Sequence, residues 1–464
     1  MVEDLLSKSL PEVAFLITSR AISSVDLVET YLNRIEEVNP ALNAIVTIAP
    51  DVLESARLCD SELERGHIIG PLHGIPITIK DTIATKGIRT TSGSRLRADD
   101  VPQHDAPVIA RLKAAGAIIV GKTNVPEMAI PYETDNPVFG RTNNPHDVSR
   151  TSGGSSGGEA AAIAARLSPA GIGSDLAGSI RVPAHFCGIA GLKPTSGSVP
   201  MEGHVPLATG SLALGASIGP MARRVADLAL LFSVIADEPE ARSFGEAVNE
   251  LGTARVAWYA DDEVAPVTED VANAVRRAAS ILSEAGLNIV EERPPSISHG
   301  PRLWVELFSR VANEQIQSFY RGREQEAGPL VSALLQSLHE AALEENANAA
   351  EALAKAVLER ERLREELLRW MRQTPLIVAP VSATPALTHG AARVDVKGES
   401  ISVFRSCSYS QTFNVFGLPA AVVPVARTTD GLPIGVQVIG RPHSEREVLA
   451  AAAIIEQSAG LEVM

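Results

Sequence analysis

The sequence predicts an α/β fold, a sheet under helical cover, on two observations. Short apolar runs punctuated by glycine, such as Ile75-Pro-Ile-Thr-Ile-Lys80 and Ala117-Ile-Ile-Val120, read as buried strands. Between these two lies a helical stretch, Ala106 to Ala115, and alternation of this kind places helices over a sheet.

Taken in order, the first 66 residues read as helices. Ser23-Ser24 is a plausible N-cap, with Leu27, Tyr31 and Ile35 recurring behind it at helical spacing, and Asp51 to Gly66 continues as a second amphipathic helix. The stretch 150–200 is rich in Gly, Ser and Ala, and beyond Arg223 helical and strand signals alternate again. Residues 302–373 are almost wholly helical in pattern; they lack sustained heptads, which favours an insertion packed on the core over a coiled-coil arm. Strand signals return at Leu376–Ala379, Ala420–Val425 and Ile434–Ile439, and a last helix starts near Ser444.

The bulk numbers exclude several classes. A chain of 464 residues, 45% hydrophobic and 21% charged, buries a large core without disulfides or metals to hold it. Its 41 basic and 56 acidic residues, a net −15, argue against nucleic acid or an anionic membrane as partner. Cys59, Cys187 and Cys407 are scattered, without metal-ligand or disulfide spacing, which suits a reducing compartment. No apolar stretch approaches the roughly 20 residues that span a bilayer, and the N-terminus has no signal-peptide pattern. The expectation is a cytoplasmic protein.

Chemistry concentrates in Thr151-Ser-Gly-Gly-Ser-Ser-Gly-Gly-Glu-Ala160 and Gly173-Ser-Asp-Leu-Ala-Gly-Ser-Ile-Arg181. Dense glycine lets backbone N–H groups approach a bound atom, and a helix over Glu159 to Arg166 would direct its positive end at the serines. A flexible linker would not recur between structured segments. Gly153-Gly-Ser155-Ser-Gly157 also fits the nucleophile-elbow pattern, but the polar, proline-containing run before it reads as loop where the elbow needs a strand. No Lys-Ser/Thr pair follows the glycines, which excludes a phosphate-binding P-loop.

These segments, with Cys187-Gly-Ile-Ala-Gly-Leu-Lys-Pro-Thr195, resemble the signature of the amidase-signature family. Gly74-Ile-Pro-Ile-Thr-Ile-Lys-Asp81 is similar to its lysine strand, and Phe413–Ala420 and Gly431–Pro442 to its C-terminal strands. The resemblance is strong over about 70–224 and 404–458, and weak over 240–400. It implies one domain over 1–464: a helical region 1–66, a signature core 67–240, a variable helix-rich region 241–400 on the substrate side, and core strands with a helix over 401–464. The implied fold is a large twisted, mostly parallel mixed β-sheet covered by helices, with the 302–373 helices roofing the cleft.

By motif, the resemblance makes Ser179 the nucleophile, Lys80 the catalytic lysine and Ser155 the serine on a cis peptide bond. The serines are 179 − 155 = 24 residues apart, the family's spacing. Backbone N–H groups of Leu176, Ala177, Gly178 and Ser179 would form the oxyanion hole, with Ala177 where most relatives carry glycine. Ala129 would line the acyl pocket, with Met128, Ile130 and Tyr132 nearby; Ser174, Asp175 and Arg181 would support the site, the last two as an ion pair. Asp81 is read as structural, Cys187 as packing, and His73, His146 and His185 as lacking the context of a Ser-His-Asp triad. No metal or organic cofactor is required.

The chemistry accounts for these residue types. An amide needs an activated hydroxyl, a proton donor for the leaving amine and donors for the oxyanion. A lysine acts as base only when neutral, and burial beside Ile77 and Ile79 would favour that form. The expected substrates are small or medium uncharged amides, with aryl amides, carbamates (urethanes) and esters included, acted on by a monomer or homodimer. The alternatives are an amidotransferase-type subunit releasing ammonia from glutamine in a multi-subunit complex, and a scaffold that has lost catalysis.

Overall fold

The computed structural model describes residues 2–237, 248, 250–342 and 349–461. Eleven strands form one sheet: β1 (Ile45–Ile48), β2 (Pro76–Lys80), β3 (Ile118–Thr123), β4 (Ala170–Asp175), β5 (Ala190–Lys193), β6 (Ser217–Ala222), β7 (Arg255–Trp258), β8 (Asn288–Glu291), β9 (Leu376–Pro380), β12 (Ala420–Arg427) and β13 (Pro433–Gly440). A separate hairpin pairs β10 (Arg393–Val396) with β11 (Glu399–Ser402). The order across the large sheet is β1-β3-β2-β4-β6-β5-β12-β13-β9-β7-β8.

This is the large mixed sheet under helices that the sequence implies. Its parallel pairings fall in two blocks, β3-β2-β4 and β9-β7-β8. The strands between those blocks, and β1 at the edge, pair antiparallel, so antiparallel ladders number six to the parallel four. The parallel character therefore belongs to the two blocks. For β12 and β13 the reason is connection length: Thr428–Leu432 is a short turn that joins them, and a parallel pair needs a crossover of a dozen residues or more.

β2, β3, β4, β5, β6, β9 and β13 are buried at every position, as strands covered on both faces must be. Helix Ser24–Leu42 starts where the sequence predicts, with a reciprocal capping box between Ser23 and Asp26. Residues 1–66 are not wholly helical, however. Asn43 turns left-handed at φ 52°, and Asn39 Oδ1 accepts the N–H groups of Ala44 and Ile45, which releases β1 as an edge strand on β3. The signal is weak because the strand is four residues long. The region 241–400 also does more than face substrate, since it supplies β7, β8 and β9 to the sheet.

Of the helices in 302–373, the segments Gly300–Trp304, Arg310–Tyr320 and Pro329–Ala342 approach the cleft, with a π-helical turn at Val305–Ser309. Helix Ala349–Trp370 lines none of the cavity among the described residues; its Arg360 and Arg364 instead bond the carbonyls of Val415 and Phe416. Residues 343–348 of the expected helical stretch lie outside the described residues. No helix among the described residues is long and apolar enough to cross a membrane.

Candidate active site

The site grows from the carboxyl ends of two parallel neighbours, the usual place for ligands in α/β sheets. β2 ends at Lys80 and β4 at Asp175, and their pairing aligns Ile79 with Ile172. Lys80 is fully buried and its Nζ contacts three oxygens: Ser155 Oγ at 2.6 Å, Ser174 Oγ at 2.9 Å and the Ser174 carbonyl at 3.4 Å. Burial disfavours the ammonium and pulls this lysine from 10.5 to about 7, while the charges of Asp175 and Glu159 resist.

Ser155 is buried and follows a cis peptide bond, Gly154–Ser155. Helix Gly157–Ala164 begins two residues later. Gly158 is required there: a Cβ would stand 2.4 Å from the backbone N and O of Asn124. The run before Ser155 is loop with isolated bridges, Asn143 to Thr151 and Arg150 to Thr388, so the strand a nucleophile elbow requires is missing. Ser156 is buried, and its Oγ donates to the Ser174 carbonyl.

Ser179 lies on the turn between β4 and helix Arg181–Cys187, half-buried, and lines the same cavity as Ser155. Asp175 organises this turn. Its carboxylate accepts the N–H groups of Gly178 and Ile180, at 2.8 and 3.0 Å, and the Nδ2 amide of Asn414. Arg181 pairs with it through Nε and Nη2, and reaches Gln437 and Asn414 with its remaining donors. Burial alone would raise the Asp175 carboxyl, but the Arg181 guanidinium overrides it and holds the group well below the carboxylate range. The expected Asp175–Arg181 ion pair is present, with neither side chain exposed.

One expectation about the turn is revised. The Gly178 N–H is bound to Asp175 Oδ1, which leaves the N–H groups of Leu176, Ala177 and Ser179 as those without an acceptor among the described residues. The left-handed position is Gly178, at φ 105°, and Ala177 is not a positive-φ residue. Alanine there costs no backbone strain. Replacing Arg181 by methionine would leave Asp175 buried and unpaired, and is expected to lower unfolding free energy by about 3–5 kcal/mol. Urea unfolding of the variant measures this; a loss under about 1 kcal/mol would contradict the buried pair.

The cavity encloses about 790 Å³. Met128, Ala129, Ile130 and Tyr132 all line it, and so do Ser174 and Asp175. Trp304 and Phe404 join Tyr132 in an aromatic cluster, with ring centroids 5.2 Å apart for Trp304–Phe404 and 6.4 Å for Tyr132–Phe404. Two of these rings also hold the turn. Trp304 Nε1 donates to the Leu176 carbonyl and Tyr132 Oη to the Ala177 carbonyl, both at 2.7 Å. In a trans peptide the N–H points opposite the carbonyl, so the Trp304 bond fixes which way the Ala177 N–H faces.

Sequence reasoning missed His204, Trp304 and Phe404, which lie outside the motifs that carry the resemblance. His204 Nε2 sits 2.8 Å from Ser174 Oγ. His73, His146 and His185 bond backbone groups and line none of the cavity. Asp81 is buried and accepts from Thr91, a structural role, and Cys187 is a buried thiol whose pKa burial pushes up. Among the described residues, no group of three or more His, Cys, Asp or Glu is arranged to hold a metal ion.

A family model described as Amidase matches residues 26–449. The chain is 35% identical to an indoleacetamide hydrolase of Bradyrhizobium diazoefficiens, over 97% of this chain and 86% of that protein. It is also 35% identical to a glutamyl-tRNA(Gln) amidotransferase subunit of Moorella thermoacetica, over 96% of each. Among solved structures, a bacterial aryl acylamidase of the amidase-signature enzymes superposes with a TM-score of 0.85 at 25% identity, over 98% of this chain and 96% of that one.

Proposed function

The chain belongs to the amidase family, whose enzymes act on carbon–nitrogen bonds, and from that membership we propose an amide hydrolase working through an acyl-enzyme on Ser179. One observation carries the reading: a fully buried lysine sits 2.6 Å from Ser155 Oγ, and Ser155 shares its cavity with Ser179. Neutral Lys80 takes the Ser155 proton as Ser155 takes that of Ser179, whose Oγ attacks the carbonyl carbon. The oxyanion is met by the free N–H groups of Leu176, Ala177 and Ser179. Collapse returns a proton through Ser155 to the departing nitrogen, and water then cleaves the acyl-enzyme along the same relay.

The lining supports uncharged, largely apolar substrates. Arg141 is the one Lys or Arg lining the cavity among the described residues; it is exposed, with the carboxyl groups of Glu133 and Asp135 in the same wall. The cluster of Tyr132, Trp304 and Phe404 favours an aryl group, through packing worth about 0.5–1.5 kcal/mol per ring pair beyond area. Aryl amides are therefore the proposed substrates, with aryl carbamates and esters accepted. The test is one acyl group joined to aniline, alkylamine and phenol, with a phenyl carbamate added. Anilide and phenyl ester should turn over faster than alkylamide, since their leaving atoms need less protonation. Exclusive action on a carboxylate-bearing amide would overturn this reading.

The amidotransferase-type reading is favoured by the relative from Moorella thermoacetica, which shares 35% identity. Glutamine brings a carboxylate to a wall whose acidic groups outnumber its single arginine. Glutamine hydrolysis faster than that of any neutral amide, together with copurifying subunits, would shift the proposal to that reading.

A further inference from the structure

We propose that His204 is a positioning residue for catalysis: through Ser174 it aims the lone pair of the Lys80 amine at Ser155. The inference rests on Lys80 acting as the base.

Four hydrogen bonds in a row carry it. His204 Nδ1 lies 2.8 Å from the Pro206 carbonyl, His204 Nε2 2.8 Å from Ser174 Oγ, Ser174 Oγ 2.9 Å from Lys80 Nζ, and Lys80 Nζ 2.6 Å from Ser155 Oγ. A carbonyl oxygen only accepts, so Nδ1 carries the hydrogen. The ring is neutral, because burial pulls it down to about 4. Its Nε2 is therefore an acceptor, and the Ser174 hydroxyl must donate to it.

That commitment decides what Lys80 sees. With its hydrogen given to His204, Ser174 Oγ can only accept from Lys80. The Ser174 carbonyl, 3.4 Å away, can likewise only accept. A neutral amine has two hydrogens and one lone pair, and both hydrogens are now assigned. The lone pair is left for Ser155, whose proton moves onto Nζ when the base acts. The resulting ammonium keeps both Ser174 acceptors and gains the Ser155 oxygen as a third. His204 and Ser174 exchange no proton in the step. Without His204 the Ser174 hydroxyl is free to turn and donate to Lys80, which would occupy the lone pair the reaction needs.

The experiment compares His204→Met, which keeps bulk without a strong acceptor, with His204→Gln, whose amide oxygen can accept from Ser174. Each is made in the wild-type and the Ser174→Ala background. His204→Met is expected to lower kcat by about 10- to 100-fold while KM moves less than about twofold, because methionine keeps the bulk that His204 presents to the cavity. His204→Gln should return to within about threefold of wild type. With no hydroxyl left to orient, His204→Met should cost less than about twofold more in the Ser174→Ala background. Losses that add in the double variant, a glutamine no better than methionine, or wild-type kcat in His204→Met would each overturn the proposal. If His204→Met does not fold, a Ser174→Ala kcat as high as wild type overturns it equally. Lys80→Met is assayed alongside: near-wild-type activity there overturns the catalytic reading, whereas a lysine-dependent rate indifferent to His204 overturns the positioning role alone.

Discussion

Replacing Ser179 with alanine is expected to lower kcat by a factor on the order of 10⁴–10⁶, with the urea unfolding midpoint unchanged. The loss is large because in the proposed mechanism Ser179 forms the acyl-enzyme, and neither Ser155 nor Ser156 can replace it. Ser155 is buried against Lys80, and Ser156 is buried with its hydroxyl bonded to the Ser174 carbonyl. Stability should hold because Asp175 and Arg181, which anchor the turn, are untouched. A fluorophosphonate should label one peptide of the wild-type protein, that containing Ser179, and should leave the variant unlabelled. An adduct on Ser155 or Ser156 would transfer the nucleophile and require a different proton path.

Lys80→Met should cost about 10²–10⁴ in kcat/KM, the range for a positioned acid–base group. It should also alter the pH profile. Lys80, pulled to about 7 by its burial, is a base only when deprotonated. The wild-type kcat/KM should therefore fall about tenfold per pH unit well below about 7 and level off above about 8. Burial also brings Glu159 up to about 7 and Lys193 down to about 7, so an acid limb near neutrality does not by itself identify Lys80. Glu159 is held by Thr78 and Thr123, Lys193 by the Pro194 carbonyl, and neither lines the cavity. The residual rate of Lys80→Met should lose the limb altogether. A limb that persists would assign it to a group other than Lys80.

Fold class and the glycine-serine segments that build the candidate site are legible in the chain because both depend on local order. Ile77 and Ile79 alternate with Thr78 and Lys80 on a short strand bounded by glycine and the turn after Asp81, and that pattern survives into β2. The two glycine-serine segments keep their identity because the backbone itself needs glycine at Gly158 and Gly178. Segments without such punctuation were read less well: the four-residue β1 vanished into its helical surroundings, and the direction of pairing within the sheet is a property of neighbours rather than of any one strand.

The rest of the site was decided by folding alone, because it consists of contacts between residues far apart along the chain. Ser174 and His204 are 30 positions apart, Leu176 and Trp304 are 128, and Arg181 and Asn414 are 233. None of these pairs leaves a spacing or a composition that could be read beforehand. The same holds for charge state: a lysine beside isoleucines suggests burial, but only the closed core removes water from Lys80 and brings its pKa to about 7. Residue types and the local turn therefore come from the order of amino acids, whereas proton direction, donor occupancy and the aromatic wall come from packing, which brings distant groups within hydrogen-bond reach.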